Sequence, residues 1–89
     1  MLGRAALNNE VAMARWLIGR GANVNVVDKL GMTPLLWAAA MDFADPAMIE
    51  LLLKSGANAD ARNRDGLTAL DLARTYGHTE VIPALTRGN

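Results

Sequence analysis

Chemistry at a protein surface needs nucleophiles, bases or metal ligands at spacings that a fold can bring together, and this chain of 89 residues offers few. It has no cysteine, which removes disulfides, thiolate metal sites and cysteine nucleophiles together. His78 is the only histidine, so a histidine metal cluster is excluded and nothing in the sequence supports a catalytic triad. Asp42 and Asp45 would suit paired-carboxylate acid–base or metal chemistry, but a turn residue and a helix N-cap account for both. Asp60 and Asp65 lack the dense oxygen-ligand pattern of a calcium loop. The glycines show neither GxGxxG nor GxxxxGK spacing, so no phosphate cradle is expected. Lys29, Arg62 and Arg64 could contact phosphates, yet Asp28, Asp60 and Asp65 lie beside them and the local charge nearly cancels, which speaks against nucleic acid. No catalytic, cofactor-binding or metal-ligating residue is assigned, and an enzyme is not expected.

Composition bounds the answer but decides less. The chain is 52% hydrophobic with nine basic and nine acidic side chains, long enough for one modest folded unit. Balanced charge gives no electrostatic case for nucleic acid or an anionic membrane. No apolar run approaches the roughly 20 residues needed to span a bilayer, and the N-terminus lacks a signal-type apolar core. The expectation is a soluble, cytoplasmic protein without membrane attachment, or a piece of a longer one.

The elements that must position any site are visible as an internal repeat. Gly66-Leu67-Thr68-Ala69-Leu70-Asp71-Leu72-Ala73 repeats Gly31-Met32-Thr33-Pro34-Leu35-Leu36-Trp37-Ala38 at an offset of 35. Trp16-Leu17-Ile18-Gly19-Arg20-Gly21-Ala22-Asn23 precedes Leu51-Leu52-Leu53-Lys54-Ser55-Gly56-Ala57-Asn58 by the same offset. Two unrelated motifs sharing one period mark a stacked repeat array, in which each unit buries its apolar faces against its neighbours. The predicted units cover 1–27 (partial), 28–62 and 63–89 (partial) within a single domain, 1–89.

Local signals delimit the helices. A short inner helix is predicted near Gly3 to Leu7, with an Asn8-Asn9 turn and an amphipathic outer helix from Glu10 to Gly19 ended by Gly21. Asn23 to Met32 reads as a β-turn finger. Thr33-Pro34 caps and opens a second inner helix to Met41, thin at Ala38, Ala39 and Ala40, with Leu35 and Trp37 filling the spaces between layers. Asp42 to Asp45 is an enlarged inter-helix turn, and Asp45-Pro46 restarts an outer helix to Lys54. After a second finger, Asn58 to Asp65, Thr68 and Asp71 form a capping box for an inner helix reaching Tyr76. Gly77-His78 makes the following turn, and Pro83 restricts the last helix to a short or displaced one.

TPLLWAA followed by IELLLKSGAN resembles the ankyrin repeat, whose pattern runs Asp-x-x-Gly-x-Thr-Pro-Leu-His-x-Ala-Ala, then Gly-His, then Val-x-x-Leu-Leu-x-x-Gly-Ala. Asp28-x-x-Gly31-x-Thr33-Pro34-Leu35 and Gly77-His78 carry further parts of it, and the likeness covers essentially the whole chain. The enlarged turn departs from the pattern and explains a period of 35 where the family usually has 33. The resemblance implies an all-α solenoid of about two and a half to three helix-turn-helix units with β-turn fingers. It also implies that His78 hydrogen-bonds across its loop, and that a protein partner binds the concave surface made by finger tips and inner helices. The positions matching that surface give Lys29, Leu30, Met32, Met41, Arg64, Leu67 and Arg74 as candidate partner-binding residues, with Leu30, Met32, Met41 and Leu67 as an exposed apolar patch inside a cationic rim. Met32 and Leu67 packing on their own fingers is the competing reading for those two. Trp37 is expected in the core and Trp16 partly exposed. Self-association through an uncovered face of the first repeat is the alternative function.

Overall fold

The computed structural model describes residues 10–40 and 46–87. Among these the chain forms α1 (Val11–Gly19), α2 (Pro34–Ala40), α3 (Pro46–Lys54), α4 (Ala69–Thr75), a 3-10 turn at Thr79–Val81 and α5 (Ile82–Arg87), with no strand. The helices make two layers. Inner helices α2 and α4 pack side by side, outer helices α1, α3 and α5 pack in series behind them, and α2 pairs with α3 and α4 with α5 as inner and outer helices of one unit. Two fingers, residues 20–33 and 55–68, project from the inner edge.

The starts and stops follow from side-chain chemistry. The Thr33 hydroxyl accepts the Leu36 N–H at 3.3 Å, and Pro34 opens α2 where no amide donor is needed. Ahead of α4 the predicted capping box is present: Thr68 Oγ1 accepts Asp71 N–H at 3.2 Å, while Asp71 Oδ2 accepts Thr68 N–H at 3.1 Å. Gly21 and Gly56 end α1 and α3 with φ of +90° and +99°, a left-handed conformation that costs glycine nothing and other residues about 1 kcal/mol or more. After Gly77 the chain enters a 3-10 turn before α5, so Pro83 lies in the first turn of a helix of six residues.

The core runs through both layers. Leu35, Leu36, Met48, Ile49, Leu52 and Val81 are fully buried, each burial contributing about 1.5–3 kcal/mol before entropy is counted. Ala38, Ala39, Ala69 and Ala73 are buried on α2 and α4 and keep the inner helices thin. Trp37 packs against the core as expected, but at its edge. It is only half-buried, because its indole turns toward the base of the first finger. The predicted first inner helix, the Asn8-Asn9 turn and the enlarged turn Asp42 to Asp45 lie outside the described residues.

The fingers are joined to each other as well as to their helices. Asn25 uses both ends of its amide across the unit boundary: Nδ2 donates to Gly56 O at 3.1 Å, and Oδ1 accepts Asn58 N–H at 2.7 Å. Further along, Gly31 (φ +76°) comes so close to the second finger that a Cβ there would sit 2.9 Å from both Arg64 N and Arg64 Cγ.

Candidate functional site

The candidate site is assembled by two equivalent turns. In the first finger Asp28 Oδ1 accepts the N–H groups of Leu30 and Met32, both at 2.9 Å, and Oδ2 accepts the Trp37 indole N–H at 2.7 Å. In the second finger Asn63 Oδ1 accepts the N–H groups of Asp65 at 2.9 Å and Leu67 at 3.1 Å. Its Nδ2 donates toward Met32 Sδ at 3.7 Å. The residue types match their neighbours: a carboxylate where an indole donor arrives, an amide where a sulfur acceptor waits.

Burial is the largest single influence on the Asp28 carboxyl and raises its pKa. Hydrogen bonds from Met32 N–H, the Trp37 indole and Leu30 N–H, with the nearby Arg64 charge, outweigh it and leave the pKa below the ordinary value. Asp71 is also lowered, first by the Thr68 backbone N–H and then by the Thr68 hydroxyl.

Between the fingers and the inner helices these turns hold open a groove of about 540 Å³. Leu30 and Met32 come from the first finger, Trp37 and Ala40 from α2, Arg64 and Leu67 from the second finger, and Tyr76 from the end of α4. Leu30 is 60% exposed and Tyr76 58%, so large apolar surface meets solvent here.

Of the predicted residues, Leu30, Met32, Arg64 and Leu67 come together in this groove. Met32 is a correction: it is 8% exposed and belongs to the core, because the second finger lies over it through Asn63. Leu67 occupies the same place in its own finger but is half-buried, since no further finger covers it among the described residues. Lys29 and Arg74 are exposed next to the groove in sequence without lining it. Met41 lies outside the described residues.

Trp37 and Tyr76 were not among the candidates and are its aromatic walls. The usable signal for Tyr76 was an aromatic residue at the last position before a turn glycine, where helical packing no longer hides it. His78 is a second correction: its Nε2 is buried without a hydrogen-bond partner, and its Nδ1 lies 4.0 Å from Glu80 Oε1. Trp16 is exposed as expected and lies under the Arg20 guanidinium at 5.1 Å.

Paired helices in two layers, with hydrogen-bonded fingers framing a groove, define a helical repeat stack. A family model of ankyrin repeats, in three copies, matches residues 2–89, and the chain belongs to the ankyrin repeat family. It is 40% identical over 73 residues to "Ankyrin repeat and LEM domain-containing protein 1 homolog" of Caenorhabditis elegans, covering 82% of this chain and 10% of that protein. It is 34% identical over 93 residues to mouse "Ankyrin repeat domain-containing protein 63", covering 94% of this chain and 23% of the relative. Human "Neurogenic locus notch homolog protein 1" is 49% identical over 57 residues, which is 64% of this chain and 2% of the relative. The chain therefore spans less than a quarter of the length of these relatives. Ankyrin repeats generally serve as protein–protein interaction modules and are generally non-catalytic. No helix among the described residues is long and apolar enough to cross a membrane.

Proposed function

We propose that this chain is a non-catalytic interaction module that binds a protein partner through the concave groove. The observation that carries the reading is the solvent-open apolar surface of Leu30, Leu67 and Tyr76 around the tethered Trp37. Such a surface is held in place before binding, so association costs little ordering entropy. Aromatic and aliphatic anchors with a cationic neighbour are the residue types that dominate protein interfaces. The length of the relatives supports a role as the binding part of a larger protein.

The test compares partner capture by the native chain with capture by Leu30→Asp and by Tyr76→Ala. Both variants should lose the partner, while Tm shifts by no more than about 4 °C because both side chains are exposed. A partner retained by both variants at full strength overturns the groove as the binding surface. Met32→Asp is unsuited to this comparison, since it would bury a carboxylate.

A second reading, self-association, rests on Val26 and Val27, which stay exposed on the first finger. Light scattering decides it: a mass that rises with concentration supports it, and a strict monomer removes it.

A further inference from the structure

The polar groups that line or border the groove divide into those already spent and those still open, Arg64 and Asp65 among the latter. Asp28 has both oxygens occupied within its own unit, by Leu30 N–H, Met32 N–H and the Trp37 indole. The Trp37 N–H is therefore also spent, and its ring offers the groove an apolar face. Arg64 is in a different state. Its stem packs at the Gly31 contact, its charge acts on the Asp28 carboxyl, and yet its guanidinium neither hydrogen-bonds nor forms an ion pair with any described residue. A positioned guanidinium with free N–H donors beside an apolar floor matches a carboxylate presented next to a large apolar side chain.

We infer that the segment this groove takes is a peptide stretch in which an acidic side chain lies within a residue or two of a large aliphatic or aromatic one. The apolar side chain seats against Trp37, Leu67 and Tyr76, and the carboxylate pairs with Arg64. Asp65 also lines the groove with its carboxylate free of hydrogen bonds from described residues, so a second acid on its side is disfavoured and one acid suffices. Selection is thus by contact geometry. The acidic and basic groups around the groove nearly balance at longer range, so little electrostatic steering accompanies it. This deepens the proposed function and rests on it.

A displayed random-peptide library, panned on the purified chain, tests it. Peptides retained by the chain should share an apolar residue with a neighbouring Asp or Glu. For a synthesised representative, Arg64→Glu should weaken binding about fivefold, the upper end for one exposed charge pair, since the reversed charge also repels the peptide's acid. Changing the peptide's acid to Lys should reverse the preference, so that the Lys peptide binds the Arg64→Glu variant better than the native chain. Tyr76→Ala should weaken both peptides. If retained peptides show no acidic bias, or Arg64→Glu leaves their affinity unchanged while Tyr76→Ala lowers it, the acidic assignment is wrong and the groove stands. If no peptide is retained, or neither variant affects binding, the groove reading itself fails.

Discussion

Asp28 concentrates more of the site's order than any other side chain, because it ties the finger backbone and the α2 indole to one carboxylate. Asp28→Asn replaces Oδ2 with an amide donor facing the Trp37 donor, while leaving an oxygen for the two backbone N–H groups. The expected cost is about 1 kcal/mol, seen as a lower urea midpoint, with a changed Trp37 emission when Trp16 is replaced by Phe. The pH dependence has a definite sign. Asp28 and Asp71 both have folded pKa values below the unfolded one. The unfolded chain therefore takes up protons first as pH falls through about 4, and the stability these carboxylates add above that point is lost through the lower folded pKa. Denaturant unfolding measured between neutral pH and about pH 3 should show this loss. It should be smaller in Asp28→Asn, and an equal loss in that variant would remove Asp28 from the account.

At the scale of the elements, the helix boundaries were legible because each is set by neighbours in sequence: Thr33 with Pro34, Thr68 with Asp71, Gly21 and Gly56. Burial in the fingers was not legible, because it depends on what the next unit lays across them. Met32 and Leu67 have the same place in the repeat and similar hydrophobicity, yet Met32 is buried and Leu67 only half-buried. Trp37 stays at the edge of the core for a related reason, its direction being decided by an acceptor nine residues back in the finger. Gly31 is where two elements meet most closely. Gly31→Ala places a methyl group 2.9 Å from the Arg64 backbone nitrogen at a positive φ, so relief requires the fingers to separate. A loss of about 1–3 kcal/mol is expected, with weaker binding in the groove even after folding is restored by low temperature. Gly66→Ala shares the positive φ but meets open space, so it should cost less than Gly31→Ala; equal losses would show that only the backbone conformation matters.

At the scale of the whole molecule, the described outer helices lean on one another in series, α1 on α3 and α3 on α5. The middle of that series should be the place where damage spreads furthest. Leu52 on α3 is fully buried, and Leu52→Ala should cost about 2–5 kcal/mol, lowering Tm by about 8 °C or more for a chain of about this size. One cooperative calorimetric transition should remain; two separated transitions would mean that the units melt independently. The contact of Gly31 with Arg64 has a thermodynamic corollary. The residue proposed to grip a ligand is also the residue on which one unit rests against the next, so a ligand spanning Leu30 and Arg64 straddles that boundary. By linkage, ligand concentration then becomes a variable of folding: saturation raises the work needed to part the units, and anything that bends the stack must loosen the ligand by the same free energy.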